Sequence, residues 1–430
     1  MKLTASRGGS LHGDATIPGD KSCSHRALIL GAMAEGETRI TGLLESDDVL
    51  ATGRAVEAFG AAVERAGSEW IVRGGPWRAP DGPIDCGNSG TAARLLMGAV
   101  AGMPGLRATF AGDASLSVRP MKRVTSPLAR MGAIVEGGDH LPVMIEGAEL
   151  GGIEHRNVPA SAQAKSAILL AGLGTAAPVS ITEPVPSRDH GEIMLGQFGC
   201  RVALEDTPAG WVISLGKERQ LRPADIQIAA DPSSAAFPLV AAVIAPGSDV
   251  MVRGMLVNPL RTGLYETLES MGARIELSNE RIQSGEIVAD MRVAASSLQP
   301  CHIAAERVPA MIDEIPALAV ACAFADGESV IEGLGELRIK ESDRLGAIVA
   351  GLAACGVSAA VDGDALRIFG RGGARGGASV ATRGDHRIAM AFLMLGLAAE
   401  QPVEVDEAEM IGTSFPSFVE VMRSLGAQIE

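Results

Sequence analysis

Six short segments of the chain are apolar on nearly every face of a helix. They recur along the whole sequence as RALILGAM, RLLMGAVAG, SAILLAGLG, AAFPLVAAVI, IPALAVACAFA and RIAMAFLMLGL. A helix that lacks a polar face is expected in the interior of a protein. At about ten residues each, the segments are too short to cross a bilayer, which needs about 20. The pattern therefore predicts six buried helices in a protein that is not inserted in a membrane.

A second helix type alternates with the first and ends each time at a glycine. The endings read AFGAAVE, RMGAIVE, QFGCRVA, SMGARIE, ACGVSAA and SLGAQIE. These glycines recur about every 70 residues, longer than the common solenoid periods, which favours a small α/β module as the repeated unit. Glycine just after a helix is typical of a left-handed C-terminal cap. We therefore predict six amphipathic helices that end at Gly60, Gly132, Gly199, Gly272, Gly356 and Gly426.

Alternating segments such as TRITGL, VSITEP, DVMVRGM and ESVIEGL predict half-buried strands between the helices. Six modules divide into two groups of three, so the expected fold is α/β with two similar domains. Turn residues at Ile17–Asp20 and Ala229–Ser234 indicate where the chain passes between them. We expect a discontinuous first domain of residues 1–19 plus 232–430 and a second domain of residues 20–231. The first strand then belongs with the C-terminal half.

Composition narrows the class of protein. A chain of 430 residues, 47% hydrophobic and 21% charged, is ordinary for a globular protein of two domains. A formal charge of −15 disfavours a role on nucleic acid or on an anionic membrane, so any bound anion requires local clusters of Arg and Lys. The six cysteines are scattered and the first residues lack the apolar region of a signal peptide, so we expect reduced thiols and a cytoplasmic location.

The segments before the buried helices are more polar than packing requires. They read PGDKSCSHR, CGNSGTAAR, PASAQAKS, ADPSS, VPAMIDE and RGDHR. Helix N-termini present unsatisfied N–H groups and partial positive charge, so polar and cationic side chains there predict anion sites. The candidates are Lys21, Ser22, Arg26, Asn88, Thr91, Ser161 and Gln163. For Ser233 and Ser234 we expect plain N-caps instead.

Charged loops also precede the amphipathic helices, as SLSVRPMKR, SRDHGE and RIKESDR. Their cations, Arg119, Arg123, Arg188, Lys340 and Arg344, are candidates to bind phosphate or carboxylate, although a solvated charged face is the favoured interpretation for Arg123. Asp313 and Glu314 lie between apolar residues, where ionised groups need partners. Asp313 beside such cations is a plausible general base, whereas Glu314 is equally consistent with a structural ion pair. His25, His190 and His386 lack the spacing of zinc ligands, and no metal site is predicted.

With these segments in view, the chain resembles the 5-enolpyruvylshikimate-3-phosphate synthase family over nearly its whole length. PGDKSCSHRA, GNSGTAAR, SLSVRPM, SAQ, DPSSAAFPL, IDE, IKESDRL, GDHRIAM and TSFP occur in the family's order. The resemblance implies the enolpyruvyl transferase fold, an inside-out α/β barrel of two domains with three βαβαββ units each. It also implies an active site in the interdomain cleft, facing the N-termini of the buried helices.

The resemblance implies substrates, roles and the absence of a metal or organic cofactor. Shikimate 3-phosphate is expected to contact Lys21, Ser22, Arg26, Ser161, Ala162, Gln163, Arg188, Asp313 and Lys340. Phosphoenolpyruvate is expected to contact Lys21, Gly90, Arg119, Gln163, Glu341, Arg344 and Arg387. The family reaction adds the 5-hydroxyl to C2 of phosphoenolpyruvate, protonates C3 and then expels phosphate; the implied catalytic residues are Asp313, Glu341 and Lys21. A monomer is expected, with a pocket that admits glyphosate beside Gly90.

Three departures from the common family pattern resemble the more divergent bacterial branch of that family. Many members have Lys where this chain has Thr413, so one cation is missing. Many have a second serine where this chain has Ala162. A familiar Tyr of the substrate pocket has no counterpart in SRDHGE, where Arg188 is expected to serve the phosphate instead.

Two other functions remain as alternatives. The related enolpyruvyl transferase that acts on UDP-N-acetylglucosamine shares the fold, but its mobile-loop Cys is absent from GDASLSVRPMKR. A non-catalytic repeat scaffold could bind a peptide or anion, although a scaffold has no need of Asp313 and Glu341 among cations.

Overall fold

The computed structural model describes residues 1–430. The helices are α1 (Lys21–Met33), α2 (Asp47–Ala58), α3 (Gly90–Ala101), α4 (Ala114–Ser117), α5 (Lys122–Met131), α6 (Ala162–Gly172), α7 (His190–Gln197), α8 (Pro232–Ile244), α9 (Gly263–Ser270), α10 (Ile315–Ala323), α11 (Arg344–Ala354), α12 (His386–Ala398) and α13 (Phe418–Ser424). Short 3-10 turns cover Ala305–Ala310, Gly335–Ile339 and Ala408–Thr413.

Twenty-four strands complete the secondary structure. They are β1 (Leu3–Ser6), β2 (His12–Asp14), β3 (Gly36–Thr41), β4 (Ala62–Ala66), β5 (Glu69–Gly74), β6 (Ile84–Asp85), β7 (Arg107–Ala111), β8 (Ile134–Gly137), β9 (Val143–Glu146), β10 (Ile153–Arg156), β11 (Val179–Glu183), β12 (Val202–Thr207), β13 (Gly210–Leu215), β14 (Asp225–Gln227), β15 (Asp249–Leu256), β16 (Arg274–Gln283), β17 (Glu286–Ala294), β18 (His302–Ile303), β19 (Asp326–Ile331), β20 (Ser358–Asp362), β21 (Ala365–Arg371), β22 (Ser379–Val380), β23 (Val403–Val405) and β24 (Gln428–Ile429).

The chain forms two compact units. Unit 1 comprises residues 1–20, 229–282 and 287–430, and unit 2 comprises residues 21–228 and 283–286. The sequence placed the divisions at 19/20 and 231/232, within a few residues of these. It gave no signal that the tip between β16 and β17, residues 283–286, groups with unit 2.

Six four-stranded sheets share one strand order. Unit 2 contains β14-β3-β5-β4, β6-β7-β9-β8 and β10-β11-β13-β12, and unit 1 contains β16-β17-β15-β2, β18-β19-β21-β20 and β22-β23-β1-β24. Each sheet has one parallel pair of strands. In four sheets a buried helix joins the two strands of that pair, as α6 joins β10 to β11, whereas the pairs β14–β3 and β15–β2 bring together strands that are far apart in the chain. A parallel pair needs such a crossover connection. Both units are therefore built from βαβαββ modules, as the sequence predicted.

The two ends of the chain complete one module of unit 1. β1 pairs antiparallel with β23 and with β24, so that Leu3 faces Val405 and Ala5 faces Ile429. The prediction that the first strand belongs with the C-terminal half is confirmed.

The six predicted apolar helices, α1, α3, α6, α8, α10 and α12, are buried along most of their length. In unit 1, α8, α10 and α12 pack on one another around a common core. In unit 2, α3 and α6 approach so closely that a Cβ at Gly98 would lie 2.3 Å from the Ala167 carbonyl oxygen. The longest helices have 13 residues, and none could traverse a bilayer.

The six predicted helix-ending glycines all adopt the left-handed conformation. Their φ angles range from +82° at Gly356 to +113° at Gly132. The Gly132 N–H donates to the Ala129 carbonyl 3.0 Å away, which closes α5. A residue with Cβ is strained at such angles, so this part of the repeat is confirmed and has a backbone cause.

Candidate active site

The first predicted cluster occupies the N-terminal turns of α1 in unit 2. Lys21 begins the helix and forms an ion pair with Asp48, which is buried in the first turn of α2. Arg26, one turn later, donates from Nη1 to the Ser22 carbonyl at 2.9 Å and from Nη2 to Ser166 Oγ at 2.7 Å. These contacts hold the side chains of Lys21 and Arg26 in place. The bond from Arg26 to Ser166 also joins α1 to α6.

The N-termini of α3 and α6 are linked by a second set of hydrogen bonds. Ser161 caps α6 by accepting from the Ala164 N–H, and Ala162 is its first residue. Gln163 accepts from Arg94 Nη1 at 2.6 Å and donates to Thr91 Oγ1 at 2.8 Å. Gln163 is thereby held against α3, whose first residue is the buried Gly90.

Arg119 lies in the loop between α4 and α5 and is largely buried. Its Nη2 donates to Asn88 Oδ1 at 2.6 Å and to Ser115 Oγ at 3.1 Å. Asn88 in turn donates to Asp113 Oδ2 at 2.7 Å. Asn88 therefore orients the guanidinium next to the start of α3, beside Gly90.

Arg188 is half-buried in the loop that leads from β11 into α7. The residue before it, Ser187, is buried and donates from both N and Oγ to the Glu183 carboxylate, at 2.9 and 2.6 Å. The loop is thus anchored directly beside the predicted phosphate-binding Arg188.

The predicted site residues of unit 1 gather around Arg344, the first residue of α11, which is fully buried. Its Nε donates to Asp385 Oδ2 at 2.8 Å, its Nη2 donates to Glu341, and its Nη1 lies 3.5 Å from Asp313 Oδ1. Burial lowers the pKa of Arg344, but Asp385 and then Glu341 and Asp313 outweigh it and raise the pKa overall. Arg344 is therefore a fixed, permanent cation.

Two more cations contact Asp313. Lys340 Nζ lies 3.5 Å from Asp313 Oδ1, and Arg387 Nη1 donates to the Asp313 carbonyl at 3.0 Å. Asp385 caps α12 by accepting from the Arg387 N–H at 3.0 Å. Burial raises the pKa of Asp385, but Arg344 more than offsets this and the pKa is lowered. One buried carboxylate thus orients both Arg344 and the start of the helix that carries Arg387.

The expectation that Ser233 and Ser234 cap α8 is wrong. Asp231 is the cap and accepts from the Ser233 N–H at 2.8 Å. Ser233 Oγ instead donates to Glu314 and accepts from Arg261 Nη2 at 3.0 Å. Because Glu314 receives this bond and is wholly buried, it lies in a buried network with Ser233 and Arg261, which supports the structural role that the sequence left open for it.

Thr413 is buried where many members of the resembled family have Lys. Its hydroxyl donates to the Met410 carbonyl at 2.7 Å and lies 3.3 Å from His386 Nδ1. The contacts of the Thr413 hydroxyl are therefore with its own 3-10 turn and with the first residue of α12.

The predicted residues divide between the two units. Those of unit 1 are joined by direct contacts around Asp313 and Arg344. Those of unit 2 lie at the starts of α1, α3 and α6 and in the loops before α5 and α7, where Arg26 bonds to α6 and Gln163 bonds to α3. In unit 2 they are Lys21, Ser22, Arg26, Gly90, Arg119, Ser161, Ala162, Gln163 and Arg188; in unit 1 they are Asp313, Lys340, Glu341, Arg344 and Arg387. Sequence reasoning missed the partners Asp48, Arg94 and Asp385, and the buried Lys165. Lys165 carried a signal, since a lysine inside the apolar run AQAKSAILLAG needs a buried partner.

Comparisons with known proteins cover the whole chain. The model of the family EPSP synthase (3-phosphoshikimate 1-carboxyvinyltransferase) matches residues 6–422. A 3-phosphoshikimate 1-carboxyvinyltransferase of Phenylobacterium zucineum is 53% identical over 99% of this chain and 95% of its own length. One of Caulobacter vibrioides is 51% identical over 99% of this chain and 98% of its own length.

Solved structures agree. The EPSP synthase of Acinetobacter baumannii is 40% identical, with a TM-score of 0.87 over 100% of this chain and 99% of that one. The enolpyruvyl transferase NikO of Streptomyces tendae is 20% identical, with a TM-score of 0.79 over 100% of this chain and 98% of that one, which shows likeness of fold alone. The chain therefore belongs to the EPSP synthase family, and it has the enolpyruvyl transferase fold that the sequence predicted.

Proposed function

We propose that this chain transfers the enolpyruvyl group of phosphoenolpyruvate to the 5-hydroxyl of shikimate 3-phosphate and releases phosphate, a step of aromatic amino acid biosynthesis. The observation that carries the proposal is the cluster around Arg344, where a carboxylate, Asp313, lies among three cations that a transfer between two anionic substrates requires. Family membership over residues 6–422 supplies the reaction.

Shikimate 3-phosphate binds mainly to unit 2 in this proposal. The N-terminal turns of α1 and α6 present Lys21, Ser22, Arg26 and the Ser161–Gln163 segment, and Arg188 lies before α7. Helix N-termini and guanidinium groups are suited to phosphate because both direct N–H donors at its oxygens. Lys340 and Asp313 of unit 1 complete the recognition of this substrate.

Phosphoenolpyruvate is bound by Lys21, Arg119 and the backbone at Gly90 in unit 2, and by Arg344 and Arg387 in unit 1. Gln163, which Arg94 and Thr91 hold in place, contacts both substrates. The guanidinium groups neutralise the phosphate and carboxylate of phosphoenolpyruvate and stabilise the charge that develops in the transition state.

The chemistry needs one base and one acid. The 5-hydroxyl oxygen bonds to C2 of phosphoenolpyruvate while Asp313 accepts its proton, and Glu341 with Lys21 delivers a proton to C3. The tetrahedral intermediate then loses a proton from C3 as the bond between C2 and the phosphate oxygen breaks. Cleavage between carbon and oxygen leaves the phosphorus untouched, and in this proposal the cationic side chains and helix N-termini supply the charge stabilisation. The expected monomeric state and cytoplasmic location stay predictions.

Phosphate release by the purified protein tests the proposal. We expect release from phosphoenolpyruvate in the presence of shikimate 3-phosphate and none when UDP-N-acetylglucosamine replaces it. Release with the nucleotide sugar would support the related transferase instead. Binding of both substrates without release would support the scaffold alternative.

A further inference from the structure

A buried carboxylate in unit 2, Glu183, is bonded to four donors that lie next to the proposed shikimate 3-phosphate site. Glu183 is the last residue of β11 and is only 1% exposed. Its Oε1 accepts from Asn157 Nδ2 and from Ser187 Oγ, both at 2.6 Å. Its Oε2 accepts from the Ser187 N–H at 2.9 Å and from Lys165 Nζ at 3.0 Å.

These donors connect Glu183 to two segments of the proposed site, the start of α6 and the loop that carries Arg188. Asn157 Nδ2 also donates to the Ser161 carbonyl at 3.0 Å, which ties the carboxylate to the start of α6. Lys165 Nζ also donates to the Ser187 carbonyl at 3.2 Å. The N–H, carbonyl and hydroxyl of Ser187 are therefore all held by Glu183 and Lys165, and the next residue is Arg188.

Lys165 keeps its charge in this position. It is 1% exposed and lies 2.7 Å from Glu192, in the first turn of α7, as well as 3.0 Å from Glu183. Burial lowers the pKa of Lys165, but Glu192 and Glu183 outweigh it and leave the pKa raised. The ammonium group therefore stays available to hold the Ser187 carbonyl.

Stability alone does not account for this arrangement. A buried ion cluster is seldom more stable than well-packed apolar residues of similar volume, because desolvation offsets the attraction between the charges. A carboxylate can orient specific hydrogen-bond donors, which an apolar group cannot do. Here the donors lead from Glu183 to Ser161, through Asn157, and to Ser187, which precedes Arg188. Ser161 and Arg188 are both proposed to bind shikimate 3-phosphate.

We propose that Glu183, together with Lys165, is a positioning residue for shikimate 3-phosphate, because it fixes the Ser187–Arg188 backbone and, through Asn157, the N-terminus of α6. The inference rests on the proposed function, in which Ser161 and Arg188 bind this substrate. In this proposal Glu183 does not itself bind the substrate; it acts mainly through Arg188 and to a smaller extent through Asn157 and Ser161.

The test uses the Glu183→Gln variant of the full chain. Glutamine keeps the shape of the side chain but has a single acceptor oxygen, so in either orientation of its amide two of the four donors lose their acceptor. We expect the Kd of shikimate 3-phosphate, measured by calorimetry, to rise about 10- to 100-fold. The KM of phosphoenolpyruvate at saturating shikimate 3-phosphate should change less than about 3-fold.

A double-mutant cycle separates positioning from a merely structural role. In an Arg188→Gln background, Glu183→Gln should weaken shikimate 3-phosphate by less than about 3-fold, because Arg188 no longer transmits the effect. The control is Glu205→Gln, which removes an exposed carboxylate from β12 of the same sheet and takes no part in the cluster of Glu183 and Lys165. It should leave the Kd within about 3-fold of the parent.

If Glu183→Gln does not fold, Ser187→Ala removes only the hydroxyl bond to Glu183 and should raise the Kd about 3- to 10-fold. An unchanged Kd in the folded variant, or full additivity with Arg188→Gln, would overturn the inference. An Arg188→Gln variant that binds normally would also overturn it. Failure of the parent protein to bind shikimate 3-phosphate would instead contradict the proposed function.

Discussion

Arg344 illustrates how a buried charge can be kept at the proposed active site. Full burial of a guanidinium is costly unless its charge and its donors find partners. Here Asp385 provides a buried carboxylate at 2.8 Å, and Glu341 and Asp313 lie on the outer side, where their side chains are 21% and 17% exposed. Asp385 thus holds the guanidinium on its buried side, and the two partly exposed carboxylates lie on the side where the proposed substrates would bind.

Asp313→Asn should separate binding from chemistry. The amide preserves the shape of the side chain but cannot accept the hydroxyl proton, so we expect turnover to fall by about 100-fold or more. Binding of shikimate 3-phosphate, measured by calorimetry, should be largely intact. The exposed Asp362→Asn in the same unit is the control and should leave both quantities unchanged. Normal turnover of Asp313→Asn would remove Asp313 from the role of general base.

Gly90→Ala should weaken glyphosate more than phosphoenolpyruvate. A Cβ at this buried position would lie 2.8 Å from Arg94 Nη1, the donor that holds Gln163. The methyl group occupies space at the proposed phosphoenolpyruvate end, and glyphosate is the longer ligand. We expect a loss of roughly 1 to 3 kcal/mol in glyphosate binding, by analogy with a methylene in a pocket, and a smaller loss for the substrate.

Inhibition constants of glyphosate and the KM of phosphoenolpyruvate for the two proteins decide this prediction. Parallel weakening of both ligands would show that the methyl group disturbs Arg94 and Gln163 rather than filling space that glyphosate needs.

The cysteines should differ sharply in reactivity. Cys301 is half-buried, and a hydrogen bond from Cys322, whose Sγ lies 3.8 Å away, lowers the pKa of Cys301. Burial raises the pKa of Cys86 to about 12. The thiolate is the reactive form, so Cys301 should react with iodoacetamide below pH 9 while Cys86 stays inert until the protein unfolds.

Peptide mapping after brief alkylation at pH 8 measures this difference. Cys301→Ser should abolish the fast phase, and the control Cys86→Ser should retain it. Rapid labelling of Cys86 in the folded protein would contradict the prediction.

At the level of elements, the repeat was predictable because its causes are local. Gly60, Gly132 and the four later glycines follow from the left-handed cap that each helix end requires. Continuous apolar runs predicted the six buried helices for the same reason. The strand order within the sheets, and the residues 283–286 that group with unit 2, depend on contacts between distant segments and left no local signal.

For the proposed site, the sequence likewise predicted the features with local causes but not those that depend on tertiary contacts. Cations at helix N-termini, such as Lys21 and Arg344, were identified from their places in short segments. Their partners Asp48 and Asp385 were not, since an ion pair formed by tertiary contact has no fixed spacing in sequence. Ser233 was assigned to a cap because serine usually caps helices, but Asp231 is two residues closer to the loop and takes that role.

The space around two helical glycines predicts that alanine changes the stability of the protein in opposite directions at the two positions. A Cβ at Gly98 would lie 2.3 Å from the Ala167 backbone oxygen, so Gly98→Ala requires the two helices to move apart. We expect a loss of about 1 to 3 kcal/mol in the free energy of unfolding. At Gly53 in α2 the nearest atom is Val63 Cγ1 at 3.9 Å, and Gly53→Ala should stabilise by about 0.5 to 1 kcal/mol.

Denaturant unfolding of the three proteins by circular dichroism measures both effects. Equal stability of Gly98→Ala and the parent would mean that the α3–α6 approach is looser in solution than 2.3 Å implies.

At the scale of the whole molecule, charge is distributed unevenly between exterior and site. The chain carries 52 acidic and 37 basic residues, yet the two groups of proposed site residues consist mainly of cations and helix N-termini. An acidic protein binds anionic substrates only where cations are held together by structure. Arg26, Arg119 and Arg344 are each held in this way, because each donates hydrogen bonds to side chains of its own unit.

Because the proposed ligands of the two substrates come from both units, joint binding should slow hydrogen exchange in both. We expect shikimate 3-phosphate with glyphosate to protect amides at the starts of α1 and α6 in unit 2, and around Asp313, Arg344 and Arg387 in unit 1. Bound ligand stabilises these segments by mass action, about 2.7 kcal/mol at 100 times Kd. Mass-spectrometric exchange with and without the ligands measures the change, and the β12–β13 hairpin of unit 2, which carries no proposed ligand, is the internal control. Protection confined to one unit would contradict the assignment of substrate-binding residues to both.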